Sequence, residues 1–351
     1  MLSETEIKEI RGHLEKAQNP IFYYDNDADG LCSFILLRKY IGRGKGVVVR
    51  SYPDLNAQYA KKTQELKADY VFILDKPSIS QEFIDEMEKV GIPIVWIDHH
   101  DVPLDIKKNE NIFIYNPAKS SEKSVEPVTY LSYEITKQKE NLWLALIGCI
   151  SDHYLPSFAK EFEKEYPDLW AKNIKEPFQA LYETEIGKIA KSLNFGLKDS
   201  LTHVIEMQNF LIACKSPRDV FQEVWENRNF RKKYVEINKK YESLLDKAKN
   251  NISKKILFFK YSGELSISSE ISNELSFLYP KKYIIVAYTK DNITNISIRG
   301  EKVKSILEEI KKEMSNITGG GHENAVGARI QTDDLETFKN KVEEKIKDER
   351  D

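Results

Sequence analysis

The sequence predicts an α/β fold made of a parallel-sheet domain, a helical connecting segment and a smaller mixed α/β domain. Strand-like and helix-like runs alternate over the first 115 residues, the pattern of a parallel sheet covered by helices on both faces. Strand-like runs are absent from about residue 125 to 250 and return, mixed with helices, from about residue 255. We therefore predict three parts, at residues 1–155, 156–252 and 253–351.

Each element is predicted from its local pattern. Runs rich in β-branched and aromatic residues predict strands, and an apolar face that repeats with the helical period predicts a helix. The predicted strands are residues 20–24, 47–52, 70–75, 92–98, 112–115, 255–261, 283–288 and 293–299. After an amphipathic helix at the start of the chain, the predicted helices include residues 31–41, 56–68, 80–90, 141–151, 229–250, 301–313 and 333–349.

The composition is that of a globular chain with a heavily charged surface. The 351 residues, 41% of them hydrophobic and 31% charged, are enough for two domains. We find neither a signal-peptide pattern nor an apolar run long enough to cross a bilayer, so we expect a cytoplasmic protein without a membrane partner. A net charge of −3 argues against a protein that coats duplex nucleic acid through charge alone.

The three cysteines, Cys32, Cys149 and Cys214, are widely spaced and odd in number. Their spacing predicts neither a zinc site nor a disulfide framework. Because apolar segments surround all three, we expect small buried side chains in a reducing compartment.

Acidic residues follow three of the predicted strands. They are Asp25, Asp27 and Asp29 after the first strand, Asp75 after the third, and Asp98 with His99 and His100 after the fourth. The carboxyl ends of parallel strands meet at one edge of a sheet, where α/β proteins build their sites. A single Asp at a strand end is more often a helix cap or turn residue. So many carboxylates at one edge would repel each other without cations, so the set predicts a metal site.

The ligand types indicate which metal this site would bind. Carboxylate oxygens with one or two imidazoles suit Mn²⁺ or Mg²⁺ better than structural zinc, which normally recruits thiolates. A bridging carboxylate can hold two such ions, and paired ions activate water and stabilise charge on a transferring phosphoryl group. The sequence therefore predicts a two-metal phosphoesterase.

An apolar helix that ends in Asp152 supplies a further candidate ligand. Gly148 lies four residues before Asp152, and its lack of a side chain would allow close helix packing. Taken alone, a capping or turn role for Asp152 is equally consistent with the pattern.

A glycine run near the C-terminus predicts an anion-binding loop. Gly319, Gly320 and Gly321 precede His322, and small residues in a helix-like pattern follow. A glycine run that opens a helix exposes backbone N–H groups toward an anion. Arg299, at the end of a predicted strand, could add a forked phosphate contact.

Together these residues resemble the motifs of the DHH phosphoesterase superfamily. The matching segments are Asp27-Ala-Asp29-Gly30, Asp75, Asp98-His99-His100 and Gly148 with Asp152, followed by Gly319-Gly-Gly-His322 with Ser297-Ile-Arg299, which resembles the DHH-associated C-terminal domain. The first motif and the compact layout are similar to archaeal RecJ-like single-strand exonucleases. Leu74-Asp-Lys-Pro77 departs from the family pattern, and no motif covers residues 155–250.

The resemblance implies a role for each motif residue. The implied metal ligands are Asp27, Asp29, Asp75, His99 and Asp152, with Asp25 as an extra ligand or a supporting group. Asp98, His99 and His100 form the implied catalytic group, in which Asp98 and His100 orient the site and contact the scissile phosphate. Arg299, His322 and the glycines 319–321 would bind substrate phosphate.

The implied function is exonucleolytic hydrolysis of single-stranded DNA or RNA with two Mn²⁺ or Mg²⁺ ions, in replication, repair or RNA turnover. The implied partners are single-stranded nucleic acid and replication or repair proteins. Two alternatives remain open from the sequence: a phosphoesterase of short oligonucleotides or nucleotides, and a largely non-catalytic replisome or repair scaffold. The complete set of ligands disfavours the scaffold.

Overall fold

The computed structural model describes residues 1–50, 54–120, 123–250 and 255–348. They belong to two compact units, Met1–Tyr234 and Val235–Asp351, and each unit is described by itself. The predicted three-part division, with a separate role for residues 156–252, stays a prediction. Within the described ranges, no helix is both long and apolar enough to cross a membrane.

The first unit is built on a parallel sheet. Its strands are β1 (Pro20–Asp25), β2 (Lys45–Val49), β3 (Asp54–Leu55), β4 (Tyr70–Leu74), β5 (Ser78–Ile79), β6 (Ile94–Ile97) and β7 (Ile112–Tyr115). Five of them form the main sheet in the order β2-β1-β4-β6-β7, all neighbours parallel, while β3 and β5 form a separate parallel pair. The predicted α/β fold is confirmed. The predicted strand end at residues 51–52 lies outside the described residues.

Both faces of the main sheet are buried, because alternate residues of each strand point to opposite sides. Phe22 of β1 and Phe72 of β4 pack into one hydrophobic core, whereas Tyr23 and Ile73 pack into the other. The helices that cover the two faces and extend the unit are α1 (Glu4–Lys16), α2 (Ala28–Ile41), α3 (Ala57–Glu65), α4 (Gln81–Lys89), α5 (Val128–Thr136), α6 (Leu142–Ser151), α7 (Ala159–Glu165), α8 (Pro177–Glu183), α9 (Glu185–Gly196), α10 (Leu201–Ala213) and the first turns of α11 (Arg228–Lys249). All three cysteines are buried, as predicted.

The second unit contains a mixed sheet. Its strands are β8 (Ile256–Ser262), β9 (Tyr283–Lys290), β10 (Ile293–Arg299), β11 (Thr318–His322) and β12 (Ala325–Gln331). Their order is β11-β12-β10-β9-β8, with β8 parallel to β9 and the other pairs antiparallel. The helices of this unit, besides the end of α11, are α12 (Ser268–Leu278), α13 (Val303–Glu313) and α14 (Leu335–Asp348). Residue 349, the predicted end of the last helix, lies outside the described residues.

The glycine run does not open a helix, and this prediction was wrong. Gly319, Gly320 and Gly321 lie in the edge strand β11, which pairs with β12. Gly319 and Gly321 have φ angles of +152° and +146°, and a Cβ atom on either would lie 2.2 Å or 2.4 Å from a β12 carbonyl oxygen. The run therefore allows two backbones to approach closely. The pattern that resembled a helix is the partner strand.

Candidate metal centre

The acidic residues of the first unit converge at one edge of the sheet. Asp25 is the last residue of β1, Asp75 follows β4, and Asp98 follows β6. These three strands are adjacent in the sheet, so their carboxyl ends lie side by side. We call the converging residues the acidic cluster: Asp25, Asp27, Asp29, Asp75, His99, His100 and Asp152.

Ligand atoms within the acidic cluster lie close enough to share cations. Among the described residues, three groups could hold a metal ion, with their ligand atoms within 4.8 Å of one another. The groups are Asp25, Asp27 and Asp75; Asp29, His99 and Asp152; and Asp75, His99 and His100. Asp75 and His99 each belong to two groups, so the geometry allows neighbouring ions to share a ligand.

The first motif bends tightly from β1 into α2. Asp27 caps α2, and its Oδ1 accepts a hydrogen bond from the Gly30 N–H at 2.9 Å. A Cβ atom on Gly30 would lie 2.7 Å from the backbone of Asp25, so only glycine fits there. Burial raises the pKa of Asp27 to about 7, and the charges of Asp25, Asp29 and Asp152 contribute.

Asp29 is buried and held by the start of α5. Its two carboxylate oxygens accept the N–H groups of Val128 at 2.9 Å and Thr129 at 2.7 Å. The Thr129 hydroxyl also donates to the Asp29 carbonyl at 2.8 Å. Burial raises the pKa of Asp29 in spite of these hydrogen bonds and of the nearby His99. The carboxylate therefore has a fixed orientation at the edge of the cluster.

Asp75 shows the strongest signs of a ligand. It is 2% exposed, and its Oδ1 has no hydrogen-bond partner among the described residues. Its φ of +59° is a left-handed conformation that non-glycine residues seldom adopt, and such strain concentrates at functional sites. Burial, followed by the charges of Asp29, Asp27 and Asp25, raises its pKa well above the usual range.

His99 lies between two carboxylates. Its Nε2 is 3.4 Å from Oδ1 of Asp75 and 3.7 Å from Oδ2 of Asp152. Asp152 caps the end of α6, and burial and the charge of Asp29 raise its pKa well above the usual range. A Cβ atom on Gly148 would lie 2.1 Å from the Thr129 hydroxyl, so this glycine permits the close packing of α6 on α5. The predicted reason for Gly148 is confirmed.

Asp98 orients His100. The Nδ1 of His100 lies 2.8 Å from Oδ1 of Asp98, and the His100 N–H donates to the other oxygen at 3.2 Å. Asn116, directly after β7, donates to Oδ2 of Asp98 and to the His100 carbonyl, both at 3.0 Å. Burial lowers the pKa of His100, but the hydrogen bond and charge of Asp98, together with the charges of Asp152 and Asp25, give a net rise.

The residues of the acidic cluster fit divalent cations. Several carboxylates share a buried edge with raised pKa values, which is unfavourable until a cation neutralises them. One buried oxygen, Oδ1 of Asp75, is without a hydrogen-bond partner in the described chain, and a cation would satisfy it. Oxygen ligands with an imidazole suit Mn²⁺ or Mg²⁺.

Lys76 lies at the same edge, and the sequence analysis gave it no role. It is 1% exposed, and its Nζ donates to Oδ1 of Asp25 at 2.9 Å. The indole N–H of Trp96 donates to the Lys76 carbonyl at 2.8 Å. The departure in Leu74-Asp-Lys-Pro77 therefore introduces a buried cation beside a candidate ligand.

The candidate phosphate-binding residues of the second unit share one end of its sheet. In the strand register, Ala325 of β12 lies opposite both His322 of β11 and Arg299 of β10. The Arg299 Nε donates to Asn273 Oδ1 at 2.6 Å, and its Nη1 donates to the carbonyl of Ile298 at 2.8 Å. The guanidinium is thus oriented by α12 and by its own strand. His322 is exposed.

Comparison with known proteins identifies both units. Residues 21–150 match the family model described as the DHH family, N-terminal domain, and residues 251–348 match the DHHA1 domain. No curated protein matches the chain.

Three solved structures illustrate the similarity of fold. A structure titled as the DHH domain of a member of the s1p family of ribosomal proteins has a TM-score of 0.69 at 16% identity, over 97% of this chain and 89% of that one. RecJ from Thermus thermophilus, in complex with Mn²⁺, has a TM-score of 0.67 at 12% identity over 97% of this chain. This chain covers 53% of that RecJ. An exonuclease RecJ bound to manganese has a TM-score of 0.63 at 14% identity, over 96% and 92% of the two chains.

Proposed function

The chain belongs to the DHH superfamily, and we propose from this membership and from the acidic cluster that it is a metal-dependent exonuclease of single-stranded nucleic acid. The observation that carries the proposal is the environment of Asp75, a strained and buried carboxylate beside His99 in a cluster of like charges. Charge repulsion and strain of this kind persist where a site binds a ligand. The manganese bound in two similar RecJ structures supports the choice of metal.

We propose five residues as ligands of the metal ions, with neighbouring groups that fix the position of the ligands. Asp27, Asp29, Asp75, His99 and Asp152 would hold two Mn²⁺ or Mg²⁺ ions, with Asp25 tied to Lys76 at the edge. When bound, such ions activate water and neutralise charge on the phosphoryl group. Val128 and Thr129 fix the carboxylate of Asp29, so α5 sets the position of one ligand before any ion arrives.

His100 would act on the scissile phosphate. Because Asp98 accepts from the ring and raises its pKa, the imidazole carries a proton more readily than an ordinary histidine. A protonated ring can donate a hydrogen bond to a non-bridging phosphate oxygen and stabilise charge there. Asn116 keeps Asp98 in place for this role.

The proposed substrate is a single strand with a terminal phosphate or sugar. Arg299, whose guanidinium is oriented by Asn273 and Ile298, brings a positive charge that suits a phosphate, and His322 at the same sheet end is exposed. One of the similar structures is an exonuclease, RecJ, and this similarity supports the proposal that nucleotides are removed stepwise. Replication or repair proteins are the proposed protein partners.

Product analysis with end-labelled strands tests the proposal. DNA and RNA of several lengths are incubated with Mn²⁺, beside Asp75→Asn as a matched control. Asparagine is chosen because it tolerates the left-handed backbone at this position. Stepwise shortening of long strands that is lost in the variant is the expected result and gives polarity and sugar preference.

Two other results would overturn parts of the proposal. Cleavage restricted to the shortest oligomers would replace the exonuclease with an oligonucleotide phosphoesterase. An absence of metal-dependent cleavage with any strand would replace it with a non-catalytic scaffold.

A further inference from the structure

A row of partly exposed aromatic rings starts beside the acidic cluster. His153 directly follows Asp152, and its ring centroid lies 4.4 Å from that of Phe178. The centroid of the Phe178 ring lies 6.0 Å from that of Tyr182, with only 9° between the planes, so the two rings are nearly parallel. Lys191 places its Nζ 5.3 Å from the Tyr182 ring centroid. We call His153, Phe178 and Tyr182 the aromatic track.

The backbone beneath the track is rigid. Phe178 and Tyr182 lie on successive turns of α8, and the Thr184 hydroxyl that caps α9 also donates to the Ala180 carbonyl. A Cβ atom on Gly187 would lie 2.2 Å from the Leu181 carbonyl oxygen, so α8 and α9 pack in direct backbone contact. The rings of Phe178 and Tyr182 are therefore held in place by helices, whereas His153 lies in the turn after α6.

The track and the helix packed beneath it both contact residues of the metal centre. At one end, His153 has a φ of +57°, so the chain turns sharply at the residue after a candidate ligand. At the other end, Asn194 lies one turn beyond Lys191 on α9 and accepts the Ala28 N–H at 2.9 Å. Ala28 is the first residue of α2, between Asp27 and Asp29. Helix α9, which packs on the helix that carries Phe178 and Tyr182, therefore also contacts the first motif.

Ordinary core packing accounts for the track incompletely. Tyr182 packs against the main hydrophobic core, but among the described residues Phe178 is not a member of that core. A partly exposed phenylalanine beside a histidine and a tyrosine, next to the proposed phosphoester-cleaving site, has the arrangement of a stacking surface.

We propose that the aromatic track binds the bases of a single strand whose scissile phosphate lies in the acidic cluster. Two adjacent bases would stack on the Phe178 and Tyr182 rings, and Lys191 would contact the backbone phosphate between them. Every base has a π face, so the subsite is tolerant of sequence. This inference rests on the proposed function and assigns it a substrate: a polynucleotide with bases, read by stacking rather than by hydrogen bonds.

Binding measurements on the full chain test the track separately from catalysis. The binding assays use the Asp75→Asn chain, so that the strand stays intact, and an oligonucleotide that carries 2-aminopurine. The test variants are Phe178→Leu and Tyr182→Leu, which keep an apolar side chain and remove the ring. Phe178→Tyr restores the ring. Trp225→Leu is the matched control, since Trp225 is 72% exposed and has Arg228 stacked on it but is not part of the track.

The proposal predicts how each substitution changes affinity and the quenching of 2-aminopurine. Each leucine variant should weaken binding at least about fivefold and reduce the quenching of 2-aminopurine, whereas Phe178→Tyr and Trp225→Leu should match the parent. A strand of the same length made of abasic sites should bind the parent and the leucine variants equally. Equal affinity of parent and leucine variants for the normal strand, with unchanged quenching, would overturn the track.

Cleavage by the otherwise unmodified chain separates the two proposals. If it hydrolyses normal and abasic strands and Phe178→Leu affects neither, the track is wrong and the nuclease stands. If it cleaves no strand but 2-aminopurine is quenched on the track, the nuclease is wrong and base binding stands. Thermal melting of each variant guards against loss of fold, since a correctly folded Phe178→Leu chain should melt within a few degrees of the parent.

Discussion

The ammonium nitrogen of Lys76 lies 2.9 Å from Oδ1 of Asp25, at the edge of the acidic cluster. The lysine side chain is 1% exposed and the aspartate 32% exposed, so the pair is asymmetric. A buried cation without its partner is strongly unfavourable, whereas the aspartate retains access to water. The pair neutralises one carboxylate of the cluster without a metal, and we therefore propose that Asp25 supports the neighbouring ligands.

The asymmetry of the pair predicts unequal effects of removing each partner. Asp25→Ala should destabilise the metal-free protein by about 3 kcal/mol because it leaves the ammonium unpaired. Lys76→Met should be less harmful, and the double variant should recover at least about 1 kcal/mol of the loss. Urea unfolding in a chelator measures all three. Additive effects of the two single substitutions would contradict the coupling.

Removing one carboxylate from the cluster should lower the rate of hydrolysis and raise the stability of the metal-free protein. We expect Asp75→Asn to lower hydrolysis at least about a hundredfold, because a neutral amide is a poor ligand. The metal-free variant should melt at a higher temperature than the parent, because burial and like-charge repulsion raise the pKa of Asp75 and a neutral amide relieves both penalties. Melting curves with and without Mn²⁺ provide the check. A lower melting temperature in the metal-free variant would argue against repulsion.

The acidic residues at the strand ends could be predicted from the sequence, but the residues that form hydrogen bonds with that edge mostly could not. The residues that follow β1, β4 and β6 could be assigned because a strand's end is a local property, and parallel order brings such ends together. Asn116 follows β7 by the same rule and could have been found, had the rule been applied to amides. Lys76 and Asn194 could not, because their partners Asp25 and Ala28 are 51 and 166 positions away.

The glycine run failed as a prediction for the same physical reason. The conformation of Gly319 is set by the carbonyl of Gly327 in the paired strand, and such non-local pairing leaves no periodic signal within the run. Ala325 and Ala328 lie three positions apart, a spacing that fits a helix although both residues belong to β12. Local patterns therefore predicted the elements that bury apolar faces. They did not predict β11, whose conformation depends on contact with the backbone of β12.

The stability of the metal-free protein should fall as the pH rises. Burial and like charges raise the pKa of Asp27 from 3.8 to about 7, so the folded state binds more protons than the unfolded chain between these values. Folding free energy is therefore lost from about pH 4 to about pH 7, on the order of 2 kcal/mol after allowance for partial exposure.

Urea midpoints in a chelator across that range, beside Asp27→Asn, measure this effect. The variant should show a flatter profile, and saturating Mn²⁺ should remove the decline in the parent. A midpoint that rises steadily with pH in the metal-free parent would show that the carboxylates are not repelling one another.

The hydrogen bonds around Asp98 should set the behaviour of His100. Asn116→Ala removes the donor to Asp98 Oδ2, so we expect activity to fall about tenfold to a hundredfold with little loss of stability. Asp98→Asn removes the charge as well, so the pKa of His100 should fall, and the imidazole should lose its proton at lower pH. NMR titration of the metal-free variants follows the ring directly. An unchanged titration in Asp98→Asn would exclude Asp98 as the cause of the raised pKa.

Substitutions at two adjacent glycines of β11 can distinguish a structural role of the glycine run from a role in substrate binding. A Cβ atom on Gly319 would lie 2.2 Å from the Gly327 carbonyl oxygen, but no atom lies within 4 Å of the corresponding position on Gly320. Gly319→Ala should therefore destabilise the protein by about 2 kcal/mol or more, and Gly320→Ala should stay within about 0.5 kcal/mol of the parent. If the exposed strand admits a phosphate close to its backbone, Gly320→Ala should raise KM about tenfold while the melting temperature stays the same. An unchanged KM would mean that the glycine run serves only the pairing of β11 with β12, and phosphate binding would then rest on Arg299 and His322.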